Sequence, residues 1–119
     1  MMHELSIASA LAEIVLRHAD GRRVTAVEVS VGRLRQVVPD ALEFAFELVA
    51  KDTPLEGARL ELHDVPVTVR CRGCDEESRV EGFPFACAAC GELDVEVTAG
   101  EELTVDAIEV DEMALSGGR

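Results

Sequence analysis

Apolar residues recur at helical spacing in two segments of the chain. The first segment is residues 4–20, with apolar positions at Leu5, Ala8, Leu11, Ala12, Ile14, Val15 and Leu16. Gly21 follows it as a C-terminal stop signal. The second segment begins at Pro39, whose fixed φ suits the first turn of a helix, and its apolar positions are Leu42, Ala45, Phe46 and Val49. The spacing therefore predicts two amphipathic helices.

Three other segments alternate apolar and polar residues with the period of a β-strand. They are residues 24–31, 58–63 and 103–110. In the last segment the alternation changes phase near Ala107, which indicates a bulge or a change of partner. The order strand, helix, strand between residues 24 and 63 favours a right-handed crossover with parallel strands. The pattern therefore predicts an α+β fold, with a small three-stranded mixed sheet and both helices on one face.

The four cysteines form two CxxC motifs, inserted between the second and third predicted strands. Twelve residues separate the pair Cys71 and Cys74 from the pair Cys87 and Cys90. Two such turns can aim four sulfurs at one point, which is the tetrahedral ligand set typical of structural zinc. We expect the permissive backbone of these turns at Gly73 and Gly91, and short flanking strands at residues 68–70, 78–80 and 94–97. The insertion is therefore predicted to be a zinc ribbon with all four cysteines as ligands.

Three other uses of the cysteines stay open on spacing alone. Two disulfides require an oxidising compartment, and the first 20 residues lack the pattern of a secretion signal. A rubredoxin-like iron site uses the same ligands, but the chain contains no Tyr or Trp. A thioredoxin-like redox pair needs one CxxC motif at a helix start, whereas this chain has two matched motifs. The spacing favours zinc over these three.

The chain is strongly acidic, with 11 Lys and Arg against 24 Asp and Glu and a formal net charge of −13. This balance disfavours nucleic acid and anionic membrane surfaces as partners. No apolar run approaches the roughly 18 residues of a membrane span, so we expect a cytoplasmic protein. The sequence also disfavours an enzyme, because no nucleophilic Ser or free Cys can be placed near His63 and Asp64. It has no GxxxxGK[ST] loop, so any nucleotide-driven step must come from another protein.

His3 is a candidate ligand for a transported metal ion. An isolated histidine near a chain end is usually just solvated, but a terminal amine, the amides that follow it and an imidazole can form fused chelate rings that suit Ni²⁺ or Cu²⁺. If Met1 is retained, the donors are its amine, the amides of Met2 and His3, and the imidazole. If the protein starts at Met2, three donors result, and Glu4 is the candidate for the fourth through its amide or carboxylate.

Several stretches in a fixed order resemble the HypA/HybF family of hydrogenase maturation nickel metallochaperones. They are MHELSIA, VGRLRQVVPDALEFAFELV, TPLEGARLEL, the paired CxxC motifs and GEELTVDAIEV. The resemblance runs from Met2 to about Glu112. It implies that His3 binds nickel at the Met-His-Glu start and that the four cysteines bind structural zinc. It further implies the GTPase HypB as a partner and the nickel-iron hydrogenase large subunit as the recipient, with urease as another client of related proteins.

The sequence pattern, together with the resemblance, predicts how the chain divides. Residues 1–66 and 100–115 are expected to form a discontinuous nickel-binding α/β domain, residues 67–99 the zinc ribbon, and residues 116–119 a disordered tail. Members of the family begin Met-His-Glu directly, so the additional Met1 leaves the fourth nickel donor open. The expected function is delivery of Ni(II), without catalysis, by a protein that carries structural Zn(II). A zinc-ribbon adaptor, which would not need His3, is the alternative.

Overall fold

The computed structural model describes residues 2–111, and all the predicted helices and strands are found there. In chain order the elements are α1 (Met2–Ala19), β1 (Arg23–Gly32), a 3-10 helix (Arg33–Arg35), α2 (Pro39–Ala50), β2 (Arg59–Val65), β3 (Val67–Cys71), β4 (Glu77–Val80), β5 (Val95–Ala99) and β6 (Leu103–Asp111). Their bounds differ from the expected ones by only a residue or two. The predicted tail at residues 116–119 and the predicted domain end at 112–115 lie outside the described residues.

The described residues fall into two compact units. The first comprises residues 2–29, 37–63 and 104–111, and the second comprises residues 30–36 and 64–103. The second unit therefore starts and ends a few residues away from the predicted ribbon, and it also includes the 3-10 helix that the sequence pattern did not predict. The assignment of nickel to one unit and zinc to the other stays a prediction.

The core of the first unit is built from one face of each helix and from β1. Helix α1 packs against α2, and its buried residues recur every three or four positions, as expected for one helical face. The buried residues of the two helices are Ile7, Ala8, Leu11, Ala12, Val15, Ala19, Leu42, Ala45, Phe46 and Ala50. Phe46 has only 2% of its surface exposed, and burying a side chain of this size contributes about 1.5–3 kcal/mol. The apolar stripes read from the sequence therefore face this core.

Strand β1 lies between β2 and β6 in a three-stranded sheet. Residue numbers increase together in β1 and in the segment that contains β2, as two contacts show. Arg23 donates a hydrogen bond to the carbonyl of Glu56, and five residues later the Glu28 carboxylate lies 3.1 Å from the imidazole Nε2 of His63. These contacts indicate that β1 and β2 are parallel, as expected from the intervening helix.

Strand β6 runs antiparallel to β1. The Gly32 amide donates to the Glu102 carbonyl at 2.7 Å, whereas the Thr25 hydroxyl donates to the Glu109 carbonyl at 3.2 Å, so the residue numbers run in opposite directions. The sheet is therefore mixed, as predicted. Asp106 and Ala107 are both exposed, although neighbours alternate on either side of them. The change of phase expected near Ala107 thus occurs within one continuous strand.

The second unit contains a smaller antiparallel sheet with β3 between β4 and β5. Its core is a cluster of Val67, Val69 and Val80, against which Leu34, Phe85, Val95 and Val97 pack. Leu34 belongs to the 3-10 helix, and its amide donates to the Gly100 carbonyl at 2.8 Å. The neighbouring Arg33 forms an ion pair with Asp64 at 2.9 Å. These contacts explain why residues 30–36 belong to this unit.

Candidate metal sites

The second unit brings the four cysteines together. Cys71 ends β3 and Cys74 follows in a turn, while Cys87 and Cys90 lie in a second turn before β5. All four Sγ atoms lie within 4.8 Å of one another. The Sγ atoms of Cys71 and Cys90 are 3.6 Å apart, and those of Cys74 and Cys87 are also 3.6 Å apart. The predicted ligand set is therefore assembled as one cluster.

These distances fit a tetrahedral metal site. Four sulfurs bound at about 2.3 Å around one zinc ion would be about 3.8 Å apart along each tetrahedral edge. The closest sulfurs, at 3.6 Å, are near that value. A disulfide requires sulfurs about 2.05 Å apart, so the arrangement is that of four free thiols and not of two disulfides. Four cysteines at one point leave no ligand position open for substrate.

Backbone amides point at the sulfurs in the same pattern in both turns. The first sulfur of each motif receives amides two and three positions later: Gly73 and Cys74 bond to Cys71, and Ala89 and Cys90 bond to Cys87. The second sulfur of each motif receives the amide two positions later, from Glu76 to Cys74 and from Glu92 to Cys90. Amide donors favour the thiolate, which is the form that binds a metal.

One detail of the turns differs from the sequence expectation. The residue after the second cysteine of each motif is the one with a left-handed backbone, at Asp75 with φ 66° and at Gly91 with φ 78°. The expectation for Gly91 is confirmed, but the one for Gly73 is wrong, because Gly73 is not among the residues with positive φ. A turn that closes one residue after its second thiol needs the left-handed residue there, and Asp tolerates this conformation better than most residues.

The thiols have unequal proton affinities. The amides of Cys90 and Ala89 lower the pKa of Cys87 to about 6. The Glu76 amide lowers the pKa of Cys74, but the contact with Cys87, together with burial, outweighs it and raises that pKa to about 12. Four adjacent thiols cannot all ionise without a cation to balance their charge. The cluster is therefore built to lose all its protons only when a metal ion binds.

The N-terminal candidate ligands lie in the first turn of α1. The helix begins at Met2, and the His3 side chain is exposed. Amides in the first turn of a helix have no intrahelical acceptor. The Met1 amine, which one version of the predicted nickel site requires, lies outside the described residues.

Glu4 is positioned differently from an exposed ligand. Its side chain is buried, with 4% of its surface exposed, and the Val38 amide donates to its Oε2 at 3.2 Å. This hydrogen bond is the main cause of a lowered pKa for the Glu4 carboxyl group. The sequence pattern could not reveal this contact, because Glu4 and Val38 are brought together only by the packing of α1 on α2. One carboxylate oxygen is thus already engaged by the fold.

The other two histidines lie in different surroundings. His18 is exposed, and its Nδ1 lies 2.9 Å from the Ile14 carbonyl one turn earlier in α1. His63 pairs with Glu28 and not with Asp64, whose carboxylate binds Arg33. Within residues 2–111, the four cysteines are the one group of three or more metal-binding side chains close enough to share an ion.

No helix in the described part of the chain is long and apolar enough to cross a membrane.

Comparison with known proteins identifies close relatives of this chain. The family model that matches residues 2–110 is described as hydrogenase/urease nickel incorporation, metallochaperone, HypA. The chain is similar to the hydrogenase maturation factor HypA of Geotalea uraniireducens (strain Rf4), with 47% identity over 110 residues, which are 92% of this chain and 100% of the relative.

Two solved structures share the fold. The solution structure of the Ni metallochaperone HypA from Helicobacter pylori matches with a TM-score of 0.65 and 22% identity, covering 90% of this chain and 96% of that one. A second solution structure of a HypA protein matches with a TM-score of 0.69 and 23% identity, covering 93% and 98%. At these identities the structural likeness supports the fold, and the sequence matches support the family.

Proposed function

Because this chain belongs to the HypA family of metallochaperones for nickel incorporation in hydrogenase maturation, we propose that it carries Ni(II) as cargo at its N terminus. The ion is bound through the His3 imidazole and neighbouring backbone nitrogens, and is then released to a nickel-iron hydrogenase under assembly. The observation that carries this proposal is the family match over residues 2–110, which includes the Met-His-Glu start.

The position of His3 in the first helical turn supports this choice of ligands. A planar chelate of amine, amide and imidazole nitrogens suits Ni²⁺, and the first amides of an α-helix have no carbonyl four residues earlier in the helix to bond to. His3 is exposed, so an ion held there is accessible both to protons and to a recipient. The donors are the Met1 amine with the amides of Met2 and His3, or the Met2 amine with the His3 amide if the protein starts at Met2.

Glu4 is the alternative fourth donor if the protein starts at Met2. Its carboxylate accepts a hydrogen bond from Val38 at Oε2, so metal binding by this group would compete with that contact. The same bond holds α1 in place one residue after His3. We therefore propose that Glu4 chiefly fixes the chain behind the nickel site, while its backbone amide stays a candidate donor.

The four cysteines bind Zn(II) as a structural ion in this proposal. The sulfur distances, the amides aimed at every sulfur and the lack of a free coordination position all support a closed, non-catalytic site. Binding should also stabilise the second unit, whose small sheet has a core of three buried valines. Metal analysis of the purified protein distinguishes zinc from iron bound by the same four cysteines.

Delivery of the cargo requires other proteins. The chain has no phosphate-binding loop, so we propose that a separate GTPase, HypB, supplies the nucleotide-driven step. The recipient is the large subunit of a nickel-iron hydrogenase, with urease as a further client. We assign the chain no catalytic activity and place it in the cytoplasm, where its clustered cysteines would stay reduced.

The test is a nickel titration of the purified, zinc-loaded protein, with intact-mass measurement to determine whether Met1 is present. The chain offers matched controls, because His18 and His63 are also exposed histidines. We expect His3→Ala to weaken nickel binding by more than roughly 100-fold. Even the loss of a residue that only orients a metal ligand lowers metal affinity by about 10- to 100-fold. His18→Ala and His63→Ala should bind nickel as the unmodified chain does.

Equal nickel affinity of His3→Ala and the unmodified chain would contradict the carrier site and favour the zinc-ribbon adaptor. Deleting the codon for Met1 distinguishes the two versions of the nickel site. A tighter complex without Met1 would indicate the three-nitrogen version with a fourth donor from Glu4, and Glu4→Gln would then show whether its carboxylate takes part.

A further inference from the structure

A shallow groove in the first unit lies between α1 and the outer strand β6. Its lining is mostly apolar and consists of Ile14, Val15 and His18 from the helix and residues 105–108 from the strand. The groove has a volume of about 170 Å³. Neither predicted metal site includes any of these residues. The groove is therefore separate from the metal ligands proposed above.

The strand that borders the groove is an edge strand. The described sheet has the order β2, β1, β6, so no strand within residues 2–111 pairs with the outer side of β6. An edge strand presents backbone N–H and C=O groups that an extended chain can pair with. A groove bordered by an edge strand and a helix is suited to an extended peptide that lengthens the sheet. The geometry therefore selects a strand as the occupant.

The two faces of β6 differ in character. Towards the interior the strand presents the half-buried side chains of Leu103, Val105, Ile108 and Val110, whereas Thr104, Asp106, Ala107 and Glu109 are exposed. A strand added beside β6 would have one row of side chains on the same side as Ile14 and Val15. Its other row would lie beside Asp106 and Glu109. The first row should be apolar and the second basic.

Charge also decides between a second copy of this chain and a different partner. Strand β6 contains Asp106, Glu109 and Asp111 and no basic residue. Pairing two copies of β6 would place six carboxylates on adjacent strands, and like charges on neighbouring strands destabilise a sheet. The whole chain carries a formal net charge of −13, which further disfavours self-association.

We propose that the groove between α1 and β6 docks an extended segment of a partner protein, in which apolar residues alternate with Lys or Arg. The segment adds a fourth strand to the sheet, placing its apolar side chains against the exposed Ile14 and its basic side chains beside Asp106 and Glu109. This docking site is separate from the metal ligands, so a failure of the nickel proposal would leave it unaffected.

The experiment uses a display library of random linear peptides of about eight residues, selected against the full zinc-loaded chain. We expect enriched sequences to alternate apolar and basic residues. The best peptide should bind roughly tenfold or more weakly to Ile14→Asp and to Asp106→Lys. Leu48→Asp is the matched control, because Leu48 is an exposed apolar residue on the other helix, and this variant should bind the peptide normally.

Backbone methylation of the peptide tests the strand geometry without altering the protein. N-methyl groups on alternate residues should abolish binding when they remove the amides that face β6, and should be tolerated when placed on the other set. Equal effects of the two methylation patterns would overturn the proposal, as would a library with no enrichment or a peptide that binds Ile14→Asp at full strength. Dimerisation of the chain that competes with the peptide would assign the edge to a second copy and would also overturn it.

Discussion

The carboxylate of Glu4 in α1 accepts a hydrogen bond from the backbone amide of Val38, the residue that caps the N terminus of α2, at a distance of 3.2 Å. In many helices a Glu or Gln at the third position makes this bond to the capping residue of its own helix. The third residue of α2 is Ala41, which has no side-chain acceptor. Glu4 supplies the missing acceptor from a different helix, and in doing so it fixes the first turn of α1.

We expect Glu4→Ala to lower the stability of the metal-free N terminus, because it leaves the Val38 amide part-buried without this acceptor. Glu4→Gln keeps an acceptor but loses the charge, so its melting temperature should lie between those of Glu4→Ala and the unmodified chain. Glu13→Gln is the control, since Glu13 is an exposed acid of the same helix. Thermal unfolding without nickel measures all three variants. A Glu4→Ala protein as stable as the control would show that the bond contributes nothing.

The same contact predicts a pH dependence. The Val38 amide lowers the pKa of Glu4 in the folded chain below its ordinary value of 4.5, so folding favours the ionised carboxylate. This contribution to stability is fully present above about pH 4.5 and is lost as the pH falls through the lowered pKa of the folded state. Urea unfolding across this range should show the advantage of the unmodified chain over Glu4→Gln shrinking as the solution becomes more acidic. An unchanged advantage at low pH would contradict the assignment.

Removing one thiol should disrupt the second unit and spare the helices. Cys74→Ala leaves three sulfurs, and structural zinc in small domains supplies about 10–16 kcal/mol of apparent binding energy that the fold would lose. We expect metal analysis to show that stoichiometric zinc is lost. The amide signals of β3–β5 should lose their dispersion in NMR spectra, whereas most of the helical circular dichroism signal should remain. Leu93→Ala, an exposed change in the same unit, is the control. Full zinc occupancy in Cys74→Ala would contradict a four-sulfur site.

The two cysteine turns offer a test of backbone strain. Gly91→Ala places a side chain at φ 78° and should lower stability by about 1–2 kcal/mol. Asp75→Gly removes the backbone strain of a left-handed residue at the equivalent position in the first turn, and its effect on stability should be neutral or slightly favourable. Gly73→Ala should be tolerated, because its added Cβ would meet nothing closer than the Cys71 Sγ at 3.6 Å. Chemical denaturation of the zinc-loaded variants measures the three effects. A Gly73→Ala change as harmful as Gly91→Ala would contradict this interpretation.

The sequence predicted those features that depend on local spacing. Helix α2 was predicted from Pro39 and a periodic apolar stripe, and Leu42 and Phe46 on that stripe are indeed buried. The cysteine cluster was predicted because two CxxC turns can aim four sulfurs at one point. The mixed sheet followed from the order of its elements. In each case the signal lies within a short window of residues or in the chain order.

The features that the sequence did not predict depend on contacts between distant residues. The role of Glu4 requires Val38, which is 34 positions away. The 3-10 helix at Arg33–Arg35 is fixed by Asp64 and by the backbone near Gly100, and neither contact leaves a periodic pattern. The left-handed Asp75 was missed because the turn was judged from its glycines. Prediction of these features would need the tertiary structure or the covariation of paired positions.

The approach of Gly32 to Gly100 gives the sharpest packing prediction. A Cβ added at Gly32 would lie 2.0 Å from the Gly100 carbonyl oxygen, and one added at Gly100 would lie 2.9 Å from the Val67 Cα, at φ 118°. These neighbours are backbone atoms, so no side chain can move aside. We expect each Gly→Ala change to lower stability by at least about 1–3 kcal/mol. Since Gly32 and Gly100 both belong to the second unit, both variants should also lose zinc more readily to a chelator.

Gly82→Ala is the matched control for this pair, because its added Cβ would meet nothing within 4 Å and its φ is not positive. It should leave stability unchanged or raise it by about 0.4–1 kcal/mol through a less flexible unfolded chain. Denaturant unfolding and the rate of zinc loss to a chelator measure all three variants. If Gly32→Ala matched Gly82→Ala in both measurements, the close backbone contact would not exist in solution. The attachment of residues 30–36 to the second unit would then have to depend on the other contacts of this segment, among them those of Leu34, Arg33 and Arg35.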